Sequence, residues 1–496
     1  MAFQEVFSRA RLRELVLHYF NNSDPVPVRR ASATMDIWAE REYKSPSDRI
    51  TTLVPVASKS QRQRSAKAEV DARADNAVPP SEIAVQTPPQ PPDPQPDNTA
   101  PNGPPQAAPV SKPLALAAII SSPGHHPTGA DGDQESHWLK QIENQTKGAL
   151  QQFQLQSRLV SSTLTPNAAI LKFQGSSNLT VEQVSKKRTE FLSTHSINLI
   201  SVRAEPGLVA LSVARPNRRV LTLKEVWKRW DLQSDAGNQD LLIGVKEDDG
   251  TLLFYSPRNN APHALIAGST GSGKSVLMQN IILAIAATNT PDQAKILLID
   301  PKLGVDYFAF ENLPHLQQGL ITEQQAAILA LSQLVEEMNR RYQLLRQNRV
   351  NNIFDLLKKP DATEKPPILW VIHDEFAEWM LTEDYSEGVE DIVARLGVKA
   401  RAAGIFLLFA AQRPDVNVMP MQLRANLGNR LVLRVDSEGT SEIALGSKGA
   451  ERLLGKGHLC AKLEGEADLI YAQVPYVAPA DIEALTQGFA DPQPVE

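Results

Sequence analysis

Apolar and polar residues repeat with different periods along this chain, and the changes of period mark its divisions. Over residues 3–20, Phe3, Val6, Phe7, Leu12, Leu15, Val16 and Phe20 fall close to a helical repeat, with Arg9, Arg11, Arg13 and Glu14 on the other side. This predicts a small helical segment within 1–45. From about Pro46 the periodicity dissolves into runs such as PPSE, TPPQPPDPQPDN and NGPPQ. Such composition buries too little surface to offset its ordering entropy, so 46–135 is expected to be a disordered, partly polyproline linker. His125 and His126 fall there without further ligands nearby, which argues against a metal site.

Periodicity returns near Trp138. Residues 138–158 predict a polar helix, and 168–173 (AAILKF) a strand. Thr180 to Leu192 predicts a second helix, opened by the capping box Thr180-x-x-Gln183, and 197–202 and 208–214 two more strands. Together these make a small α/β domain over 136–230. The basic run Arg215-Pro216-Asn217-Arg218-Arg219 reads as a solvated turn. Over 231–478 short, mostly apolar runs alternate with helical patterns, as in a parallel sheet covered on both faces. The runs are 264–267, 295–300, 367–375, 405–411 and 431–435, and the longest helix spans 324–347. Residues 479–496 are left as a tail.

The first run leads into Gly268-Ser269-Thr270-Gly271-Ser272-Gly273-Lys274-Ser275, which fits G-x-x-x-x-G-K-[ST] and is followed at once by a helical pattern. Glycines let successive N–H groups face one anion, and the helix N-terminus adds free donors. Lys274 is expected to reach the β- and γ-phosphates of ATP, and Ser275 to ligate Mg²⁺. The run 367–375 ends in the acid pair Asp374-Glu375, and 405–411 is followed by Gln412. Ligands bind beyond the carboxyl ends of such strands, so these residues should converge on the phosphates. The expected roles are Mg²⁺ binding for Asp374, general base toward water for Glu375, and γ-phosphate sensing for Gln412. A further cation is needed in phosphoryl transfer and often arrives from a neighbouring subunit; Arg401, Arg413, Arg430 and Arg434 are candidates, each with a plain salt-bridge alternative.

Composition narrows the setting. A hydrophobic content of 42% supports at least one large core, and the net charge of −6 does not advertise a nucleic-acid binder, so any such surface must be local. One cysteine, Cys460, excludes an intrachain disulfide. No apolar run reaches the ~20 residues that span a bilayer, and residues 1–21 do not resemble a signal peptide. The expectation is a cytoplasmic protein without a membrane span.

The ordered motifs GSTGSGKS, LLIDPK (297–302), LPHL (313–316), MNRRY (338–342), HDEFAEWM (373–380), KARAAG (399–404), AAQRP (410–414) and LLGKGHL (453–459) resemble those of the FtsK/SpoIIIE DNA translocases over about 160–478. The resemblance implies a RecA-like motor preceded by a small α/β domain, with PNRRVLTLKEVW (216–227) linking them. It also implies a ring, usually a hexamer, that moves double-stranded DNA with ATP, and Arg401 as an arginine finger acting across the subunit interface. That family's N-terminal membrane helices and C-terminal winged helix find no counterpart in the sequence, so a recruiting protein partner is expected. The settings left open are plasmid or phage DNA transfer and DNA defence or restriction. The alternatives are a protein-translocating ATPase of the type VII secretion kind and a slow nucleotide switch. Arg424, Arg430 and Lys448 are the suggested DNA-phosphate contacts. His373 stands where an aliphatic residue is usual.

Overall fold

In the computed structural model, residues 129–155, 157–230, 239–258, 261–414 and 421–490 are described. The helix of 3–20, His125-His126 and the Pro-rich tract up to residue 128 lie outside them. The first described helix, Gly129–Gln152, begins inside the stretch expected to be linker, because its polar first turns carry no apolar signal. Its packing begins with the half-buried Trp138 and Leu139, and Ile142 is its first fully buried residue. It ends short of the expected residue 158, where Gln154 turns left-handed with φ 57°. An unforeseen edge strand, β1 (Leu159–Leu164), follows. With β2 (Ala168–Gln174), β3 (Leu199–Glu205) and β4 (Leu208–Ala214) it makes an antiparallel sheet of order β1-β2-β4-β3. The helix predicted over 180–192 is two pieces, Val181–Lys186 and Arg188–His195, and the Thr180–Gln183 capping box is formed. One face of the sheet packs under these helices. The other presents Ala168, Ile170, Ile200 and Ala210, with Leu454 of the larger domain laid against it.

The larger sheet has nine strands in the order β6-β5-β13-β12-β11-β7-β10-β9-β8. Five are parallel: β7 (Ala264–Ala267), β8 (Ala294–Ile299), β9 (Ile368–His373), β10 (Ile405–Ala411) and β11 (Asn429–Leu433). The antiparallel flank is β12 (His458–Lys462), β13 (Ile470–Gln473), β5 (Leu241–Lys246) and β6 (Leu252–Tyr255). The apolar runs predicted the parallel centre; the flank is an addition, since short turns join β5 to β6 and β12 to β13 without a crossover. In β9, Ile368, Trp370 and Ile372 enter the core on one face and Leu369 and Val371 the core on the other. Burial on both faces is why these strands read as continuous apolar runs.

Helix Lys274–Thr288 covers the first face, and Gln324–Asn348 and Glu383–Lys399 the second. The stretch left as a tail is the helix Pro479–Ala490 as far as residue 490, with Ile482 and Leu485 buried in the first core. No helix among the described residues is long and apolar enough to cross a membrane.

Candidate active site

Strand β7 is buried along its whole length and delivers the loop at its carboxyl end into a fixed frame. The Gly268 N–H donates to the Ala411 carbonyl (3.3 Å), and both the N–H and Oγ of Ser269 donate to the Arg434 carbonyl (2.8 and 2.9 Å). Gly271 and Gly273 take φ of 75° and 103°, a region that only glycine enters readily. The helix beginning at Lys274 has no side-chain cap, so its first N–H groups remain for an anion. The Ser272 hydroxyl is buried without a protein partner. These features fit a phosphate-holding loop. It forms one wall of a cleft of about 1120 Å³, whose other walls include residues 216–221, Lys302, Lys456 and Gly457.

At the end of β9, the Lys274 Nζ meets Asp374 Oδ1 and stands 3.2 Å from Glu375 Oε2. Asp374 is fully buried, and its other oxygen accepts from the Tyr307 hydroxyl at 2.9 Å. Burial alone would lower the Lys274 ammonium, but the two carboxylates more than offset it and hold the group above its ordinary value. Burial would likewise raise Asp374, yet Lys274 and the Tyr307 hydroxyl hold it below the usual range. Glu375 sits in the left-handed region at φ 43°, strain of roughly 1–3 kcal/mol of the kind found where a site fixes a side chain. The Gln412 N–H holds its Oε1 at 2.8 Å. Strand β10 lies between β7 and β9, which is why Gln412 faces both the loop, through Thr270 Oγ1 at 3.2 Å, and the acid pair.

His373 is buried in a ring of Phe376, Trp379, Tyr385 and Phe409. Its Nδ1 lies 2.8 Å from the Asp374 carbonyl, which can only accept, so Nδ1 carries the proton and Nε2 accepts from the Tyr385 hydroxyl at 2.7 Å. Burial pushes its pKa down to about 4, and the ring is neutral.

Residues 223–416 match the family model described as FtsK/SpoIIIE. The chain is 31% identical over 384 residues to the DNA translocase FtsK of Campylobacter jejuni, covering 76% of this chain and 40% of that protein. It is 36% identical over 301 residues to the DNA translocase FtsK of Streptococcus agalactiae, covering 58% and 36%. The chain belongs to the FtsK/SpoIIIE family. It spans about two fifths of the length of the curated relatives it matches. Among solved structures it is similar to the conjugation coupling protein TcpA of pCW3 in a monomer form with ATPγS, at 25% identity and TM-score 0.47, over 67% of this chain and 94% of that one. It is also similar to the cytoplasmic domain of the type VII secretion ATPase EccC of Thermomonospora curvata, at 26% identity and TM-score 0.46, over 52% and 32%.

In this FtsK/SpoIIIE chain the fold gathers Gly268 to Ser275, Asp374, Glu375 and Gln412, but Arg401 stands apart. It precedes β10, whereas Gln412 follows it, and seven extended residues separate them by roughly 20 Å. The Arg401 guanidinium donates to the Arg258 carbonyl (3.1 Å). Arg413 is at the cleft end of β10 but pairs with Asp436 at 2.9 Å, and Arg434 is engaged through its carbonyl by Ser269. Of the residues suggested for DNA, Arg430 donates to the Arg424 carbonyl and Lys448 pairs with Glu438 at 2.6 Å.

Two features were not foreseen. The Ser275 hydroxyl donates to Asp306 (2.9 Å), a residue in no recognised motif. The expected solvated turn at 215–219 holds for Pro216, Asn217 and Arg219, which are exposed, and is corrected at two arginines: Arg215 is buried and donates to the Thr165 carbonyl (2.9 Å), and Arg218 is half-buried and donates to Asn167 Oδ1 (2.8 Å), the carbonyls of Leu454 (3.2 Å) and Gly455 (2.9 Å), and Gln473 Oε1 (3.1 Å). Charge alone suggests solvent, but these acceptors come from both domains and are brought together only by the fold.

Proposed function

We propose that this chain is an ATP-driven translocase of double-stranded DNA that works as a ring-shaped homo-oligomer, a hexamer being the expected form, recruited to its DNA by a protein partner. The reading rests on one observation above all: Lys274, Asp374, Glu375 and Gln412 converge at the carboxyl ends of β7, β9 and β10 in a chain related to proteins named DNA translocases. ATP supplies the phosphoanhydride and Mg²⁺ the charge that polarises it. Ser275 and Asp374 are the oxygens for Mg²⁺, directly or through water. Among the described residues no group of three or more His, Cys, Asp or Glu is arranged to hold a metal. Binding through few protein oxygens plus phosphates is the usual way Mg²⁺ is held.

Lys274, freed from Asp374, neutralises phosphate charge. Glu375 takes the proton from an attacking water, its carboxylate aimed by the Gln412 N–H and by its own constrained backbone. The Gln412 side chain contacts the phosphate loop and reports the loss of the γ-phosphate to the β10 end. Arg401, remote from its own Lys274, supplies its charge to a neighbour's site. DNA contact is to phosphates, which accommodates the net charge of −6 only if the basic residues line a local channel.

The test is steady-state ATP hydrolysis with and without long duplex DNA at two salt concentrations. Stimulation of several-fold by duplex DNA, lost in Glu375→Gln with nucleotide binding retained and lost together with binding in Lys274→Ala, supports the reading. Hydrolysis indifferent to DNA would overturn it in favour of a protein-translocating ATPase. Absence of hydrolysis under both conditions would favour a nucleotide switch.

A further inference from the structure

The segment after β8 is wound tightly back toward the phosphate loop. Asp300 accepts from the N–H groups of Lys302 and Gly304 at 3.0 Å each, and Leu303 and Gly304 both take positive φ, 59° and 78°. This turn brings Asp306 and Tyr307 against two of the proposed metal oxygens at once. Asp306 accepts the Ser275 hydroxyl at 2.9 Å, and the Tyr307 hydroxyl donates to Asp374 at 2.9 Å. The helix of the phosphate loop fixes the backbone as well, through Gln279 Nε2 to the Asp306 carbonyl at 2.8 Å.

A serine hydroxyl has one hydrogen and two lone pairs. With its hydrogen committed to Asp306, the lone pairs of Ser275 are left for a cation, and the carboxylate acceptor makes that oxygen the more basic. Outer partners of this kind orient a metal's ligands and commonly set affinity by 10–100-fold. We propose that Asp306 is a positioning residue for Mg²⁺, acting through Ser275 and touching neither metal nor nucleotide. The proposal rests on the nucleotide-site reading above and adds the residue that tunes its metal.

Nucleotide affinity of the full chain is measured with a fluorescent ATP analogue, first in EDTA and then across a Mg²⁺ titration, with Mn²⁺ binding followed by electron paramagnetic resonance. Asp306→Ala is expected to raise the half-saturating Mg²⁺ and Mn²⁺ concentrations by about 10–100-fold and to leave metal-free nucleotide affinity unchanged. Asp306→Asn keeps an oxygen acceptor and should recover part of the loss. In a Ser275→Ala background Asp306→Ala should add little, because the two act as one unit. An unchanged metal requirement in Asp306→Ala overturns the proposal. So does an equal loss of metal-free binding, which marks a structural role, or full additivity with Ser275→Ala. Wild-type protein that binds no nucleotide with or without metal would instead overturn the reading beneath it.

Discussion

Arg218 offers the sharpest test of how the small domain bears on the site. Its guanidinium spans three segments: Asn167 of the small domain, the Leu454 and Gly455 carbonyls, and Gln473 at the end of β13. Residues just beyond hold the phosphate loop, with the Lys456 N–H on the Gly271 carbonyl (3.3 Å) and the Gly457 N–H on that of Ser272 (2.7 Å). Hydrogen bonds to a charged group contribute about 1.5–3 kcal/mol each, but bonds sharing one guanidinium are not additive and half-burial weakens them. Arg218→Ala should therefore cost about 3 kcal/mol in all. Part of that loss should appear at the loop: a shift of 1.4 kcal/mol is tenfold in affinity, so nucleotide binding should weaken by about tenfold. Arg218→Lys, a single point donor in place of a planar fork, should fall between. Urea unfolding followed by circular dichroism and by tryptophan fluorescence, with nucleotide titration, reads both effects. Wild-type unfolding and wild-type affinity in Arg218→Ala would refute the reasoning. Lost stability with intact affinity would confine the residue to holding the domains together.

At Gly273 the backbone needs φ 103°, and an added Cβ would lie 2.6 Å from the Gly457 nitrogen, so Gly273→Ala should lower stability by about 2–4 kcal/mol and abolish nucleotide binding, as read by melting and titration. Burial lowers the His373 pKa in the fold to about 4 from its ordinary value near 6.5, so between these values the ring is neutral in the fold while the unfolded chain binds the extra proton. Its contribution is full above about pH 6.5, falls as pH drops toward 4, and amounts to on the order of 3 kcal/mol. His373→Leu should flatten that part of the acid limb in a pH series of urea midpoints; an unaltered acid limb would contradict it. Arg401→Ala should lose turnover and regain part of it when mixed with Glu375→Gln protein, because in a mixed ring an intact Glu375 can meet an intact Arg401; no recovery at any mixing ratio would count against action from a neighbour.

The parts of this molecule visible in the sequence are those whose physics is local. Strands buried on both faces read as apolar runs, the capping box at Thr180 sits within one turn, and a phosphate loop needs its glycines in order. The strand β1 was hidden because it lies at the sheet edge, pairs with β2 alone and buries none of its residues fully, so LVSSTL carries no continuous apolar run. Asp306, Tyr307 and Arg218 were hidden for a different reason. Their partners lie tens to hundreds of positions away, and a charged residue gives no sign in sequence of whether it will meet water or a ring of carbonyls. The same holds for the buried Asn167, Glu247 and His458, in which Asn167 donates to Glu247 at 2.8 Å and His458 stands 3.3 Å from it. His373 was noticed as unusual, but its partner Tyr385 is on the next long helix and only the fold joins them.

Strand β10 leads directly into Gln412 at one end and follows Arg401 at the other. Extended backbone hydrogen-bonded on both sides transmits displacement with little give. If Arg401 completes a neighbour's site as proposed, this strand behaves as a pushrod between consecutive chambers, one end sensing spent fuel in its own and the other setting ignition in the next. A lone subunit would then idle, and fuel consumption would begin only with assembly around a track.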